Sequence, residues 1–190
     1  MKTMTSNDLP HEVKLACALL ARATPHDLLV RQVVSPMIVG GAVVDILQGQ
    51  KPKDFDIEVF NLGWEAIKNC FSDYPIKEVG EAFGILTVNL DGVDIDINIP
   101  RTDNRVGKGH KGFHAALDPT MSVKEAARRR DFTINTLAFD PFTGEIIDNW
   151  GGLKDLEDGV LRATDPELFV QDPLRACLLY TSPSPRDRTR

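Results

Sequence analysis

The sequence predicts a mixed α/β domain, and three stretches support that prediction. In residues 11–23, HEVKLACALLARA, apolar side chains recur at the spacing of a helix. Residues 36–60 indicate a strand, a glycine turn, a helix and a second strand, DFDIEVF, in which polar and apolar side chains alternate. Two further strands, 84–90 and 93–99, are joined by the dipeptide DG, which is a two-residue hairpin signal. Helices and strands therefore alternate along one chain.

The remaining elements are predicted from periodicity and from turn signals. A helix that begins at Ser122 is indicated by a capping box, because Glu125 follows three residues later. Residues 101–120 show no sustained period and contain several basic residues and glycines, so we predict a mobile loop. We also predict helices over 63–74, 132–137 and 153–157 and from 165 onwards, and strands over 145–148 and 160–163.

Composition excludes several classes of protein. The 190 residues are 42% apolar and 26% charged, as in ordinary globular domains, and no apolar run approaches the length of a membrane span. The three cysteines lie far apart without a CxxC pair, which argues against a disulfide framework or a zinc site. The N-terminus is polar and lacks a secretory pattern, so we expect a cytoplasmic protein with no membrane partner. A net charge of −6 argues against a broad basic surface that grips nucleic acid.

Residues 177–190, CLLYTSPSPRDRTR, differ in kind from the rest of the chain. They lose helical periodicity and are rich in Ser, Pro and Arg, which is typical of a disordered tail. The string also resembles the translation of a sequencing-library adapter, and we interpret it as an artefact of that origin. The alternative is a genuine flexible tail. In either case we expect it to take no part in the fold.

The stretch from Gly40 to Asp56 predicts a phosphate site beside a metal site. Gly40 and Gly41 follow an apolar strand and lack a Cβ, so the backbone is free to turn sharply and approach a ligand. The helix that follows would direct its N-terminal N–H groups toward a phosphate. Asp54 and Asp56 share one face of the next strand, roughly 6.5–7 Å apart. Two carboxylates at that spacing suit divalent cations, so the stretch indicates phosphoryl or nucleotidyl transfer.

A second acidic strand, VDIDINI, follows at residues 93–99. Its valine and isoleucines share one face, and Asp94, Asp96 and Asn98 share the other. A polar face on a central strand is costly unless it lines a site. Transfer with two metal ions uses about three carboxylates, and DFD with one aspartate of DID supplies that number. Periodicity alone does not choose between Asp94 and Asp96, and the alternative is a pair of edge strands with solvated acids.

Five motifs, in order along the chain, resemble one known family. They are GG-x-V-x-D, D-x-D, RRDFTIN, DNWGGLKDL and DPLR, and the match runs over residues 36–176. Together they are similar to the head domain of class II tRNA nucleotidyltransferases (CCA-adding enzymes) and bacterial poly(A) polymerases, in the DNA polymerase β-like superfamily. The resemblance implies a nucleotidyltransferase head domain with a short mixed β-sheet and helices packed on one side. It also implies a reaction that uses two Mg²⁺ ions.

The resemblance implies a role for each residue that matches a motif. Asp54, Asp56 and Asp96 match the catalytic carboxylates that bind metal, with Asp96 as the third ligand. Gly40 and Gly41 match the glycines that contact the nucleotide phosphates.

The RRDFTIN motif implies three further nucleotide contacts. Arg130 matches an arginine that contacts the nucleotide, and Asp131 and Asn135 match the positions that hold the ribose. A guanidinium beside a triphosphate and short polar side chains beside a ribose hydroxyl are both chemically reasonable. The alternative for 128–130 is a solvated helix face.

The last motif implies a pair that reads the base. Asp172 and Arg175 lie three residues apart on one helix face and match side chains that mimic a Watson–Crick edge for CTP or ATP. A simple salt bridge is the alternative. The stretch 107–113 corresponds to a flexible element of the family, and we interpret His110 and His114 as loop residues rather than metal ligands.

The implied function is addition of CMP and AMP, from CTP and ATP, to an RNA 3′ end, with tRNA as the expected RNA and with this chain as a truncated head. Poly(A) polymerase, a partial CC- or A-adding enzyme, and an impaired nucleotide-binding module are the alternatives. Val44 and Gln171 depart from the family, which has arginine and glutamate at those positions. The predicted parts of the chain are a helical lead-in over 1–35, the head over 36–164, the start of a neck helix over 165–176 and the tail over 177–190.

Overall fold

A computed structural model describes residues 1–23, 33–80, 84–105, 113–170 and 175, with the backbone alone at 78–80, 103–105 and 113–115. The predicted tail, Asp172 and Gln171 lie outside the described residues, as does nearly all of the predicted flexible element 107–113.

Six helices and nine strands lie in the described part of the chain. The helices are α1 (His11–Ala21), α2 (Gly41–Leu47), α3 (Trp64–Cys70), α4 (Val123–Arg128), α5 (Gly152–Asp158) and α6 (Pro166–Phe169). The strands are β1 (Ser35–Val39), β2 (Phe55–Phe60), β3 (Ile76–Gly80), β4 (Ile85–Leu90), β5 (Val93–Asn98), β6 (Arg101–Arg105), β7 (Phe113–Leu117), β8 (Ala138–Phe139) and β9 (Ile146–Ile147). Among these described helices, none is long and apolar enough to cross a membrane.

Seven strands form one mixed sheet in the order β3-β4-β5-β2-β1-β8-β9. Strands β2 and β5 are parallel neighbours, and the other pairings in this sheet are antiparallel. Strands β6 and β7 form a separate antiparallel pair. The mixed sheet with its helices confirms the predicted α/β class.

One face of the sheet packs on the main hydrophobic core. Ile57 of β2 and Ile95 of β5 are fully buried there, together with Leu20 of α1, Leu47 of α2 and Ile67 of α3. Burial of each such side chain contributes about 1.5–3 kcal/mol to the free energy of folding, relative to leaving it exposed. The alternation of DFDIEVF and VDIDINI therefore has the physical cause that the sequence indicated, because every second residue of both strands faces the core.

The opposite face carries a smaller apolar cluster and the polar side chains. Met37 of β1 and Phe60 of β2 pack there against Ala126 of α4. Asp56 and Glu58 lie on this same face of β2, because alternate residues of a strand point to one side. Helices α1 to α3 cover the first face, as predicted, and α4 lies against the second.

Several elements differ from the sequence prediction. The stretch predicted as a mobile loop over 101–120 contains β6 and β7, paired from Arg101 with Leu117 to Arg105 with Phe113. The helix predicted over 132–137 is a short 3₁₀ turn, Thr133–Thr136, followed directly by β8. The strand predicted over 160–163 is reduced to an isolated bridge between Phe132 and Ala163. These segments lack a clear apolar period, so their conformation depends on the partner against which they pair.

The 3₁₀ turn Thr133–Thr136 is anchored by α5. Gly152, the first residue of α5, packs so closely that an added Cβ would lie 2.4 Å from the carbonyl oxygen of Thr133. The Thr133 hydroxyl donates a hydrogen bond to the buried carboxylate of Asp155 at 2.7 Å. Arg162 donates two more to the same carboxylate, at 2.9 Å and 3.1 Å. The GGLKDL segment therefore holds the RRDFTIN segment in place.

We expect Gly152→Ala to lower the free energy of unfolding by about 1–3 kcal/mol, because overpacking a tight contact forces the backbone apart. Gly41→Ala is the matched control, since a Cβ at Gly41 meets nothing within 4 Å and should cost no stability. Urea unfolding followed by circular dichroism measures both variants. Equal stability of Gly152→Ala and the unmodified chain would contradict this account of the contact.

Candidate active site

Asp56 and Asp96 lie side by side on the two parallel strands. In the register of the sheet, Asp56 of β2 is opposite Asp96 of β5, and Asp96 is opposite Thr87 of β4. Neighbouring strands are about 4.8 Å apart, so the two carboxylates leave the same face of the sheet next to each other. Asp94 is opposite Asn89, close to the β4–β5 hairpin. Of the two aspartates that periodicity left open, Asp96 is the one beside Asp56.

A neighbouring side chain holds one oxygen of each carboxylate. The Thr87 hydroxyl donates to Oδ1 of Asp96 at 2.6 Å, and the Asn98 amide donates to Oδ1 of Asp56 at 3.3 Å. These hydrogen bonds run across the sheet and orient both carboxylates. The exposed Asp94 accepts from Asn89 instead.

The environment of Asp56 disfavours its negative charge. Burial is the largest cause that raises the pKa of Asp56, and the negative charge of Asp96 is the next. The Asn98 hydrogen bond and the Arg130 charge act in the opposite direction, and Asp54 raises the pKa further. The net result is a pKa above the ordinary value of 3.8. A bound cation would relieve this surplus of negative charge.

A pocket of about 660 Å³ lies beside Asp56. It is lined by the start of α2, the loop before β2 and the start of β2: Gly41, Ala42, Asp45, Gln50, Lys51, Lys53, Asp54 and Asp56. The pocket therefore joins the glycine turn to two of the predicted carboxylates. The exposed Lys51 and Lys53 bring positive charge to it. Neither lysine was among the sequence-predicted site residues, although the string KPK directly precedes DFD.

The carboxylates suit a hard divalent cation. In the part of the chain that the structure describes, no three His, Cys, Asp or Glu side chains come close enough together to hold a metal ion by themselves. Asp56 and Asp96 do come together, and Asp54 lines the same pocket as Asp56. Mg²⁺ is commonly bound by one or two carboxylates together with water and substrate phosphates. This donor set, with its surplus negative charge, therefore fits such an ion completed by a phosphate ligand.

The glycine turn lies between Arg130 and Asp56. Gly40 has a φ of +73°, which an L side chain rarely adopts. A Cβ at Gly40 would lie 3.3 Å from Nη1 of Arg130 and 3.9 Å from Oδ2 of Asp56. The positive φ therefore favours glycine at this position, and a larger residue would also press on the Arg130 side chain. Gly41 has open space around its Cα instead, on the side of the pocket.

Asp131 and Asn135, the predicted ribose contacts, are bonded to each other. The Asn135 amide donates to Oδ1 of Asp131 at 2.9 Å, and the backbone N–H of Phe132 donates to the same oxygen at 2.8 Å. The carbonyl oxygen of Asn135 accepts from Nη1 of Arg130 at 3.3 Å. The predicted nucleotide contacts of this motif thus form one connected group.

Arg175 lies near the end of α4. Its Nη2 donates to the carbonyl oxygen of Arg129 at 2.7 Å. Its predicted partner Asp172 falls outside the described residues, so the base-reading pair stays a prediction.

Val44, which stands where the resemblance expects an arginine, is part of the core. Its side chain lies in α2 and is 8% exposed. The apolar residue therefore contributes packing at the position where the resemblance implies a phosphate contact. Glu58, which no prediction included, is buried on the face of β2 that carries Asp56 and pairs with Arg130. The sequence signal for it was a third acidic residue in the alternating run DFDIE.

Residues 36–162 match the family model described as Poly A polymerase head domain. The chain belongs to this family. The match contains the glycine turn, both acidic strands and the Arg130 motif, so it covers the whole group of side chains around Asp56.

Curated relatives match the same region. The Multifunctional CCA protein of Xanthomonas campestris pv. campestris (strain B100) is 38% identical over 138 residues, which cover 73% of this chain and 32% of that protein. The protein of the same name from Xylella fastidiosa (strain M23) matches to the same extent. The chain therefore spans about a third of the length of these relatives.

Solved structures share the fold. A CCA-adding enzyme in its apo form II superposes with a TM-score of 0.71 and 26% identity, over 94% of this chain and 42% of the other. The Bacillus stearothermophilus CCA-adding enzyme in complex with CTP superposes with a TM-score of 0.67 and 26% identity, over 88% of this chain and 38% of the other. The Thermotoga maritima CCA-adding enzyme complexed with tRNA superposes with a TM-score of 0.63 and 28% identity, over 88% of this chain and 36% of the other. The head-domain fold implied by the motifs is thereby confirmed.

The raised pKa of Asp56 predicts how the metal-free chain responds to pH. A carboxyl group with a higher pKa in the folded state binds more protons when folded, so its contribution to stability falls as pH rises from 3.8 through the raised value. Asp56→Asn should therefore raise the Tm at neutral pH in EDTA, by about 2–4 °C for each kcal/mol of relieved charge. The gain should vanish below that pH window, where the carboxyl is protonated in both states.

Asp94→Asn is the matched control for that measurement, because Asp94 lies on the neighbouring strand but is exposed. It should give no pH-dependent gain in Tm. A gain for Asp56→Asn that persists at low pH would show that repulsion at Asp56 is not its cause.

Proposed function

We propose that this chain is the catalytic head of a template-independent RNA nucleotidyltransferase. It transfers CMP and AMP from CTP and ATP to an RNA 3′ end, with tRNA as the acceptor, and it acts in the cytoplasm. The observation that carries the proposal is the in-register pair of Asp56 and Asp96 beside the glycine turn and Arg130. The similarity to a CCA-adding enzyme in complex with CTP and to another complexed with tRNA supports the choice of substrates.

Asp54, Asp56 and Asp96 would hold the metal, which we propose to be two Mg²⁺ ions. When bound, such ions lower the pKa of an attacking hydroxyl and neutralise charge on a triphosphate. The assignment is supported by the oxygen chemistry of the three side chains and by the surplus negative charge at Asp56.

In the proposed reaction, the 3′ oxygen of the RNA forms a bond to the α-phosphorus of the nucleotide, and the bond from that phosphorus to pyrophosphate breaks. The proton of the attacking hydroxyl passes to solvent. Gly40 makes the turn, and Gly41 leaves space for the phosphates beside the sheet. Arg130 would neutralise negative charge that develops on the leaving pyrophosphate. Lys51 and Lys53 add positive charge in the pocket, and this charge would compensate for the arginine that Val44 replaces.

The nucleoside end would be held by the remaining predicted residues. Asp131 and Asn135 form a hydrogen-bonded polar pair, and a carboxylate and an amide would accept and donate hydrogen bonds at a ribose hydroxyl. Asp172 and Arg175 would recognise the base. Arg175 contacts the carbonyl oxygen of Arg129, directly after α4.

An impaired nucleotide-binding module is the second candidate function. The observation that favours it is that Val44 packs in the core at the position where the resemblance implies an arginine for the phosphates. Such a module would bind CTP or ATP without transferring the nucleotide.

Incorporation of labelled CTP and ATP into tRNA that lacks its CCA end tests the proposal, with the protein encoded by the complete gene and with Mg²⁺. We expect addition of two C residues and then one A residue. Asp54→Ala should abolish incorporation, because it removes a metal-binding carboxylate. Asp94→Ala should leave incorporation intact, because Asp94 is exposed near the hairpin.

Other results of the same assay would identify the alternative functions. Runs of A identify a poly(A) polymerase, and addition of C alone or A alone identifies a partial enzyme. Binding of CTP without incorporation identifies the impaired module. Full incorporation by Asp54→Ala would refute its assignment as a metal ligand.

A further inference from the structure

Glu58 is a buried acidic residue that the roles above do not use. Its side chain is 3% exposed and follows Asp56 by two residues on the same face of β2. A carboxylate removed from water is costly unless it is paired with positive charge and hydrogen-bonded. A buried glutamate beside a site that already has surplus negative charge therefore depends on its partners.

Two arginines at the end of α4 are those partners. Nη2 of Arg130 lies 3.0 Å from Oε2 of Glu58, and Nη2 of Arg129 lies 3.5 Å from Oε1. N–H···O hydrogen bonds commonly measure about 2.7–3.2 Å. Arg130 is therefore the well-formed partner, and Arg129 adds positive charge on the other oxygen.

The second terminal nitrogen of Arg130 faces the glycine turn. Nη1 donates to the carbonyl oxygen of Asn135 at 3.3 Å and lies 3.3 Å from the position of a Cβ at Gly40. The two ends of the guanidinium thus have different acceptors, Glu58 at one and Asn135 at the other. Since the group is planar and rigid, two such contacts fix its plane beside the turn.

Glu58 also decides which carboxylate of β2 Arg130 pairs with. Oδ2 of Asp56 lies 3.9 Å from the same Cβ position at Gly40, and the positive charge of Arg130 acts on Asp56 across the turn. Among the ion pairs of the described residues, however, Arg130 is joined to Glu58. A guanidinium drawn onto Asp56 would neutralise the carboxylate that the site offers to a cation. With Glu58 as its anion, Arg130 stays beside the turn, and the Asp56 carboxylate stays open to a cation.

We propose that Glu58 is a positioning residue that holds Arg130 against the Gly40 turn for the triphosphate of the nucleotide. The identity of that ligand rests on the proposed function. In this role Glu58 acts on the phosphates through Arg130, its well-formed partner, rather than by contact. This makes the inference testable by nucleotide binding alone, without any measurement of transfer.

The first test compares triphosphate with monophosphate binding by Glu58→Gln, which keeps the shape of the side chain and removes its charge. We expect CTP and ATP to bind about 10–100-fold more weakly in the presence of Mg²⁺, by analogy with the loss seen when the hydrogen-bond partner of a metal ligand is removed. CMP should bind almost unchanged, because it lacks the β- and γ-phosphates. Glu65→Gln is the matched control, since Glu65 lies on α3 with its side chain 77% exposed.

The second test is a double-mutant cycle with Arg130→Gln. If Glu58 acts through Arg130, Glu58→Gln should cause no further loss of CTP affinity in the Arg130→Gln background. Glu58→Asp retains the charge with a shorter reach, and it should show a smaller loss that is again selective for the triphosphate. It also replaces Glu58→Gln if circular dichroism shows that the latter does not fold.

Three results would overturn the inference. They are unchanged CTP affinity in a folded Glu58→Gln variant, equal weakening of CTP and CMP, and a full further loss in the Arg130→Gln background. Each of these leaves the proposed function intact. Failure of the unmodified chain to bind either CTP or ATP would instead overturn the proposed function, and this inference with it.

Discussion

The parallel pairing of β2 with β5 is the constraint on which the rest of the site depends. It sets Asp56 opposite Asp96, and it sets Ile57 opposite Ile97 on neighbouring positions that face the core. A slip of either strand by one residue would turn its aspartates into the core and its isoleucines out of it. The hydrophobic effect therefore enforces the register, and the register in turn assembles the carboxylates.

Charge on the polar face of the sheet is separated into two parts. Asp56 and Asp96 hold a surplus of negative charge, which the raised pKa of Asp56 reports. Arg130 supplies positive charge on the other side of the Gly40 turn, where Glu58 and Asn135 hold it. A nucleotide with its cation needs both signs within a few ångströms. The buried ion pair keeps the two signs from simply neutralising each other.

Local pattern predicted the parts of the fold whose structure is itself local. The alternation in DFDIEVF and VDIDINI reflects two strands with one buried face, and Gly40 has the positive φ that a sharp turn requires. Strands β6 and β7 were missed because RTDNR and FHAAL have no such alternation, and their conformation comes from pairing with each other. The GGLKDL segment could be recognised as a motif, but its contact with Thr133 could not.

By itself, the sequence determined which side chains share a face of each strand, and its ordered motifs determined the family. Periodicity left Asp94 and Asp96 open, the motifs implied Asp96, and the register of the sheet places it opposite Asp56. Only the tertiary structure decided that Val44 packs in the core and that Lys51 and Lys53 line the pocket. It also decided that Glu58 pairs with Arg130, across 72 residues of chain. The physical reason is that periodicity describes one element at a time, whereas strand order, register and buried charge pairs arise only when distant elements pack together.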